Sequence, residues 1–163
     1  MAVSRDMFRT WRHPRVVMRE LLAAGQREDR ALAFLMAGCL ITFVAQWPRL
    51  AREAYLTGED FTQVMSYDLL AWIFMWPLIF YGIAALAHLV AKLFRGKGTF
   101  YTARLSLFWT LLATTPVMLF YGLLRGINGD VSATHIVGGL WLVGFIVIWI
   151  ATLIEAEKDP AHV

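Results

Sequence analysis

The chain has 163 residues, 59% of them hydrophobic and 17% charged, with a formal net charge of +3. Soluble domains are about 45–50% apolar, so this composition is too greasy for one and belongs in a bilayer, with length for a few spanning helices and no large domain outside. The basic residues flank apolar runs instead of standing among stacking aromatics, which argues against a nucleic-acid partner, and the single cysteine, Cys39, reads as a small core residue.

Residues 1–29 form a polar N-terminal segment that carries Arg5, Arg9, Arg12, Arg15, Arg19 and Arg27 and contains no apolar stretch of signal-peptide type. Pro14 suits the first turn of a helix and Gly25 its stop. Between them Val17, Met18, Leu21 and Leu22 share one side, with Arg15 and Arg19 opposite. With Met7, Phe8 and Trp11 just upstream, the segment reads as an amphipathic helix lying in the cytoplasmic membrane interface; packing of the same face on the protein itself is the other reading.

The first span is expected over residues 31–47, with Glu28 and Asp29 favoured at its start by the helix dipole and Trp47-Pro48 at its far end. A polar stretch with a turn at Thr57-Gly58 leads to the second span, 69–93, where Trp72 and Trp76 suit an aromatic belt and Pro77 interrupts the hydrogen-bond ladder. The short basic turn Arg95-Gly96-Lys97-Gly98 makes the third span, 101–124, an antiparallel neighbour of the second. A loop containing Gly126, Asn128 and Gly129 precedes the fourth span, 131–154, and residues 155–163 form a charged tail. Twelve Lys or Arg fall in the N-terminal segment, the basic turn and the tail, against Arg49, Arg52 and Arg125 on the other face, so the positive-inside rule predicts both termini in the cytoplasm of a bacterial inner membrane. The fold class is therefore all-α: a polytopic membrane protein with four transmembrane helices and an interfacial N-terminal helix.

Small residues define a helix-packing seam. Ala84, Ala87, His88 and Ala91 share one face of the second helix; Ala103, Ser106, Thr110 and Ala113 recur at spacings of three and four on the third, where they let backbones approach closely. Ser106 is the expected partner of His88. Pro77 and Pro116 lie at nearly equal depth as paired kinks, and Thr114 and Thr115 stand ready to bond carbonyls that Pro116 frees. Gly122 and Gly126 match a GxxxG spacing, but the second glycine is expected in a loop. Arg15, Arg19, Lys92, Arg95, Lys97 and Arg104 form a cationic collar suited to anionic lipid headgroups. The histidines are scattered over both faces and lack ligand spacing, so no metal, haem or other cofactor is expected.

Pro14-Arg15-Val16-Val17-Met18-Arg19-Glu20-Leu21-Leu22, then Gly96-Lys97-Gly98-Thr99-Phe100 opening the third span, and Pro116 about twenty residues on, give the chain a resemblance to the Yip (Ypt/Rab-interacting membrane protein) family in its short bacterial branch. The resemblance implies a polytopic membrane domain with a cytosolic N-terminus and a non-catalytic role. The long N-terminal domain and the Asp-Leu-Tyr-Gly-Pro signature of the eukaryotic branch are missing, so GTPase binding is not carried over. The expected function is that of a non-enzymatic organiser, assembly factor or accessory subunit acting on membrane lipids, on other integral membrane proteins or on a second copy of the chain. The alternative is a small permease or lipid-handling protein with a cavity near Pro77 and Pro116.

Overall fold

The computed structural model describes residues 3–158; the rest of the expected tail, with His162, lies outside the described residues. The elements are α1 (Val3–Arg12), α2 (Pro14–Ala23), α3 (Glu28–Thr57), α4 (Phe61–Leu70), a π-helical turn (Ala71–Met75), α5 (Trp76–Leu93), α6 (Phe100–Asn128) and α7 (Ser132–Ala156). Among the described residues four stretches are long and apolar enough to cross a membrane: α3; the continuous run from α4 through α5; α6; and α7. We call the end that carries the turn between α5 and α6 the basic end.

The bundle is built around α6. In its most apolar window 61% of residues are buried, against 39% for α3 and 11% for each of the other two spans. Thr99 and Thr102 start the helix with a reciprocal cap, in which each side-chain oxygen accepts the other's backbone N–H. Small residues then let α3 run alongside in the same direction. A side chain at Gly38 would press on Leu111, one at Gly122 would strike the Ala45 backbone, and one at Gly126 would strike Pro48. Gly122 and Gly126 are thus an intrachain crossing point of the close-approach kind, and both lie inside α6 because the helix continues to Asn128.

The first span is longer than 31–47. Helix α3 passes through Pro48 and ends only at Gly58, whose φ of 72° is the left-handed stop. A proline inside a helix removes the one N–H that would reach back four residues, and here the chain tolerates it because Gly126 makes room for the ring. The second span is likewise extended at its start, where Asp60 accepts the Thr62 N–H at 2.9 Å and caps α4. In the π turn that follows, the Trp76 N–H reaches back five residues to the Ala71 carbonyl, and the widened turn sits directly before Pro77. On α6 the Thr115 hydroxyl donates to the Leu112 carbonyl at 2.7 Å, the group that Pro116 leaves without an N–H.

The N-terminal segment departs from the interfacial helix expected for it. It forms two helices, not one, and its apolar side faces inward: Val17, Met18 and Leu21 are buried in the main core with Leu35, Leu105 and Trp109. The driving term is burial of that face against protein, and polar contacts fix its place. The Trp109 indole donates to Thr10 at 3.0 Å, the Trp11 indole to the Ala113 carbonyl at 3.1 Å, and Arg9 pairs with Glu20 at 2.8 Å across the α1–α2 hairpin. Tyr101, at the start of α6, accepts the Arg27 backbone N–H at 3.1 Å and holds the linker into α3.

Candidate functional site

At the basic end α5 stops in a left-handed turn. The Gly96 N–H bonds the Ala91 carbonyl at 2.8 Å and the Arg95 N–H bonds the Lys92 carbonyl at 3.0 Å, which places Arg95 at a φ of 65°. That position usually belongs to glycine, because a β-carbon crowds the following carbonyl at a cost of about 1–2 kcal/mol. The two glycines of the turn are required elsewhere, by Glu157. A side chain at Gly96 would meet Glu157 Oε2 at 2.7 Å, and one at Gly98 would meet the Ala156 carbonyl at 2.6 Å.

Glu157, one residue beyond α7, is set into this turn. Its Oε2 accepts the Gly98 N–H at 3.1 Å, its Oε1 lies 2.9 Å from His88 Nδ1, and its backbone carbonyl accepts the Lys97 N–H at 2.9 Å. The Phe100 ring packs over the imidazole with centroids 4.4 Å apart. The neighbouring Glu155 is buried too and pairs with Arg19 at 3.0 Å and with Lys158. The end of α7, the α5–α6 turn and α2 are thereby tied together by carboxylates facing inward.

Ser106 is therefore not the partner of His88. Its hydroxyl donates to the Ala103 carbonyl at 2.8 Å within its own helix. The rest of the expected seam divides. Ala84, His88, Ala103, Ser106, Thr110 and Ala113 are buried, but Thr110 faces α7, with its hydroxyl 3.2 Å from that of Thr152, and Ala113 receives Trp11. Ala87 and Ala91 are only half-buried and line an open groove instead. Contact between α5 and α6 rests on larger groups: Tyr81 meets Phe108 edge-on at 5.0 Å, and the Arg104 guanidinium lies 5.6 Å from the Tyr81 ring centroid.

The collar also divides. Arg19 is held by Glu155, and Arg104 by Glu28 at 2.7 Å. Arg15, Lys92, Arg95 and Lys97 are exposed at the surface, Arg95 on the rim of the groove. The groove, of about 680 Å³, runs between α5 and α7, its walls made by Ile83, Leu86, Val90, Trp149 and Leu153 and its mouth by Phe94, Arg95 and Glu157. It lies toward the basic end, and neither Pro77 nor Pro116 lines it, although Ile83 is less than two turns from Pro77. At the opposite end a polar recess of about 540 Å³ between α3 and α4 contains Arg49, Glu53 and Asp68, with Arg49 paired to Glu53 at 2.7 Å. Among the described residues no three His, Cys, Asp or Glu side chains gather as metal ligands.

No family model matches the chain, and no curated protein or solved structure matches it either. The site is accordingly read from its own geometry. Two of its features escape the sequence. Glu157 is 69 positions from His88 and looks like part of a solvated tail. The groove exists only because α5 and α7 both lean on α6 without closing on each other.

Proposed function

We propose that this chain is a non-enzymatic integral protein of a bacterial inner membrane, Yip-like and of the short bacterial type, with both termini cytoplasmic, which acts as an organiser, assembly factor or accessory subunit by packing against other membrane proteins. One observation carries the reading: α6 spends its surface inside the bundle while the spans that end in α5 and α7 bury only 11% of their most apolar windows. Leu86, Leu89, Val90 and Leu93 on α5 and Leu140, Val143 and Val147 on α7 all point outward, so an apolar face of each helix is available for lateral contact. Without a hydrophobic force separating lipid from protein, such faces associate through close packing and shape. Strong intrachain ties at the basic end support a role in which the bundle is a rigid platform.

The test is purification of the full chain in mild detergent followed by native mass spectrometry. A stoichiometric membrane-protein partner, or a second copy of the chain, is the expected result. A chain that runs as a monomer without partner across several mild detergents and in native nanodiscs overturns the reading.

A further inference from the structure

We infer that the groove between α5 and α7 is a binding site for one anionic phospholipid, with an acyl chain laid along the groove and its phosphate at Arg95. This goes beyond the partner-packing role and does not depend on it.

Three observations fix the occupant. The first is length. The groove follows α5 from Ile83 to Gly96, which at 1.5 Å per residue is about 20 Å; one leaflet of a hydrocarbon core about 30 Å thick spans about 15 Å. The walls along that path are apolar, and the polar groups gather at the mouth, at the basic end, as in a single lipid standing in its own leaflet.

The second is charge. Among the described residues two ionisable side chains reach the mouth, Arg95 and Glu157. Glu157 is buried and its oxygens are engaged, His88 on one and the Gly98 N–H on the other, whereas Arg95 is exposed, so the group presented outward is the Arg95 guanidinium. Its planar fork matches a phosphate. Exposed Lys92, on the preceding turn, adds to the positive field.

The third is backbone strain. Arg95 holds a φ of 65° in the position that ends α5, where glycine is free of cost and arginine is not. Strained non-glycine residues collect where a side chain is needed in a particular place. Here the left-handed turn is what sets Arg95 on the rim while Gly96 and Gly98 close over Glu157.

The experiment uses the full chain in native mass spectrometry with equal amounts of phosphatidylglycerol and phosphatidylcholine of identical acyl chains. The wild type is expected to retain one lipid with about a fivefold preference for phosphatidylglycerol, the scale of one basic residue beside an anionic lipid. Arg95→Gly suits the backbone, so it folds at least as well as wild type, and it is expected to bring the preference to near unity; Arg95→Lys retains part of it. Ala87→Phe fills the groove from an open face and is expected to reduce retention of both lipids. Equal retention of the two lipids by wild type, an Arg95→Gly chain with the full preference, or unchanged retention in Ala87→Phe each overturns the site. A partner lost from Ala87→Phe without any change in lipid assigns the groove to a protein helix and also overturns it. A monomer that retains phosphatidylglycerol with the Arg95-dependent preference supports the site while removing the partner-packing role.

Discussion

The α3–α6 crossing gives the sharpest stability prediction. At Gly122 an added β-carbon would overlap the Ala45 carbonyl and stand 2.7 Å from its carbon; at Gly126 it would overlap the Pro48 ring and stand 2.9 Å from the Pro48 carbonyl carbon. Neither obstacle is a side chain able to rotate away, so Gly122→Ala must push the two helices apart by roughly 1.5 Å to restore an ordinary contact of 3.4 Å or more, and a gap of that size forfeits at least about half of each contact's attraction. One leucine-sized group at the interface makes about 40 contacts of about 0.1–0.2 kcal/mol each, so the loss is about 2–4 kcal/mol, at the upper end of overpacking costs of about 1–3 kcal/mol or just above it. Gly82→Ala and Gly139→Ala are the controls: a β-carbon at either meets nothing within 4 Å, and the gain in helix propensity of up to about 1 kcal/mol makes them neutral or stabilising. Unfolding of the purified protein in mixed micelles by increasing SDS, followed by tryptophan fluorescence, ranks the three. If Gly122→Ala matches the two controls to within about 0.5 kcal/mol, the smallest shift that stands clear of surface substitutions, the helices are not in backbone contact and the packing described for α6 is wrong.

Other consequences follow from the basic end and the N-terminal hairpin. Glu157→Ala leaves a histidine that is 3% exposed without its hydrogen-bond partner and is expected to cost about 1–3 kcal/mol. His88→Leu costs about as much, about 1–3 kcal/mol, because Oε1 of the carboxylate loses its partner while Oε2 keeps the Gly98 N–H. In a double-mutant cycle on SDS unfolding the two changes are coupled, and strict additivity contradicts the pairing. Thr10→Val removes the acceptor of the fully buried Trp109 indole; a loss of about 1–3 kcal/mol, with faster proteolysis of α1, is the expected outcome, and a neutral result means the hairpin is not docked. The bond from Arg9 holds the Glu20 carboxyl below its ordinary range. A carboxyl depressed by folding stabilises the fold above its unfolded pKa of about 4.3 and loses that contribution as pH falls through the folded value. The protection of α1 amides, corrected for the slower intrinsic exchange at low pH, should therefore fall on acidification below that range in wild type, while Glu20→Gln should show the reduced protection already at neutral pH and change little with acid.

The spans were legible because apolar runs of spanning length have few other uses in a chain this hydrophobic. Their limits were less so. Pro48 reads as a terminator when only local backbone rules apply, yet α3 continues past it because α6 offers a glycine opposite the ring. The same error at the other end hid Gly126: with the third span stopped at residue 124 the glycine pair looked like half a motif, although α6 runs on to Asn128. The rescue of the Leu112 carbonyl by Thr115 was readable, being a local contact across one turn. His88 was found but given the wrong partner, since helical level alone favours Ser106 and only the return of the chain after α7 delivers Glu157. The N-terminal face that suited a membrane surface suited a protein surface equally well, because amphipathicity specifies an apolar neighbour and not its identity.

The claim on which the rest depends is that the chain crosses the membrane with its basic end in the cytoplasm. It is tested by single cysteines at exposed Lys92, beside the basic turn, and at exposed Glu59, in the loop after α3; the native Cys39 is buried and should stay silent. With a membrane-impermeant maleimide on spheroplasts, Glu59→Cys should label at once and Lys92→Cys only after the membrane is permeabilised. Labelling of both positions from the outside, or of Lys92→Cys alone, contradicts the account.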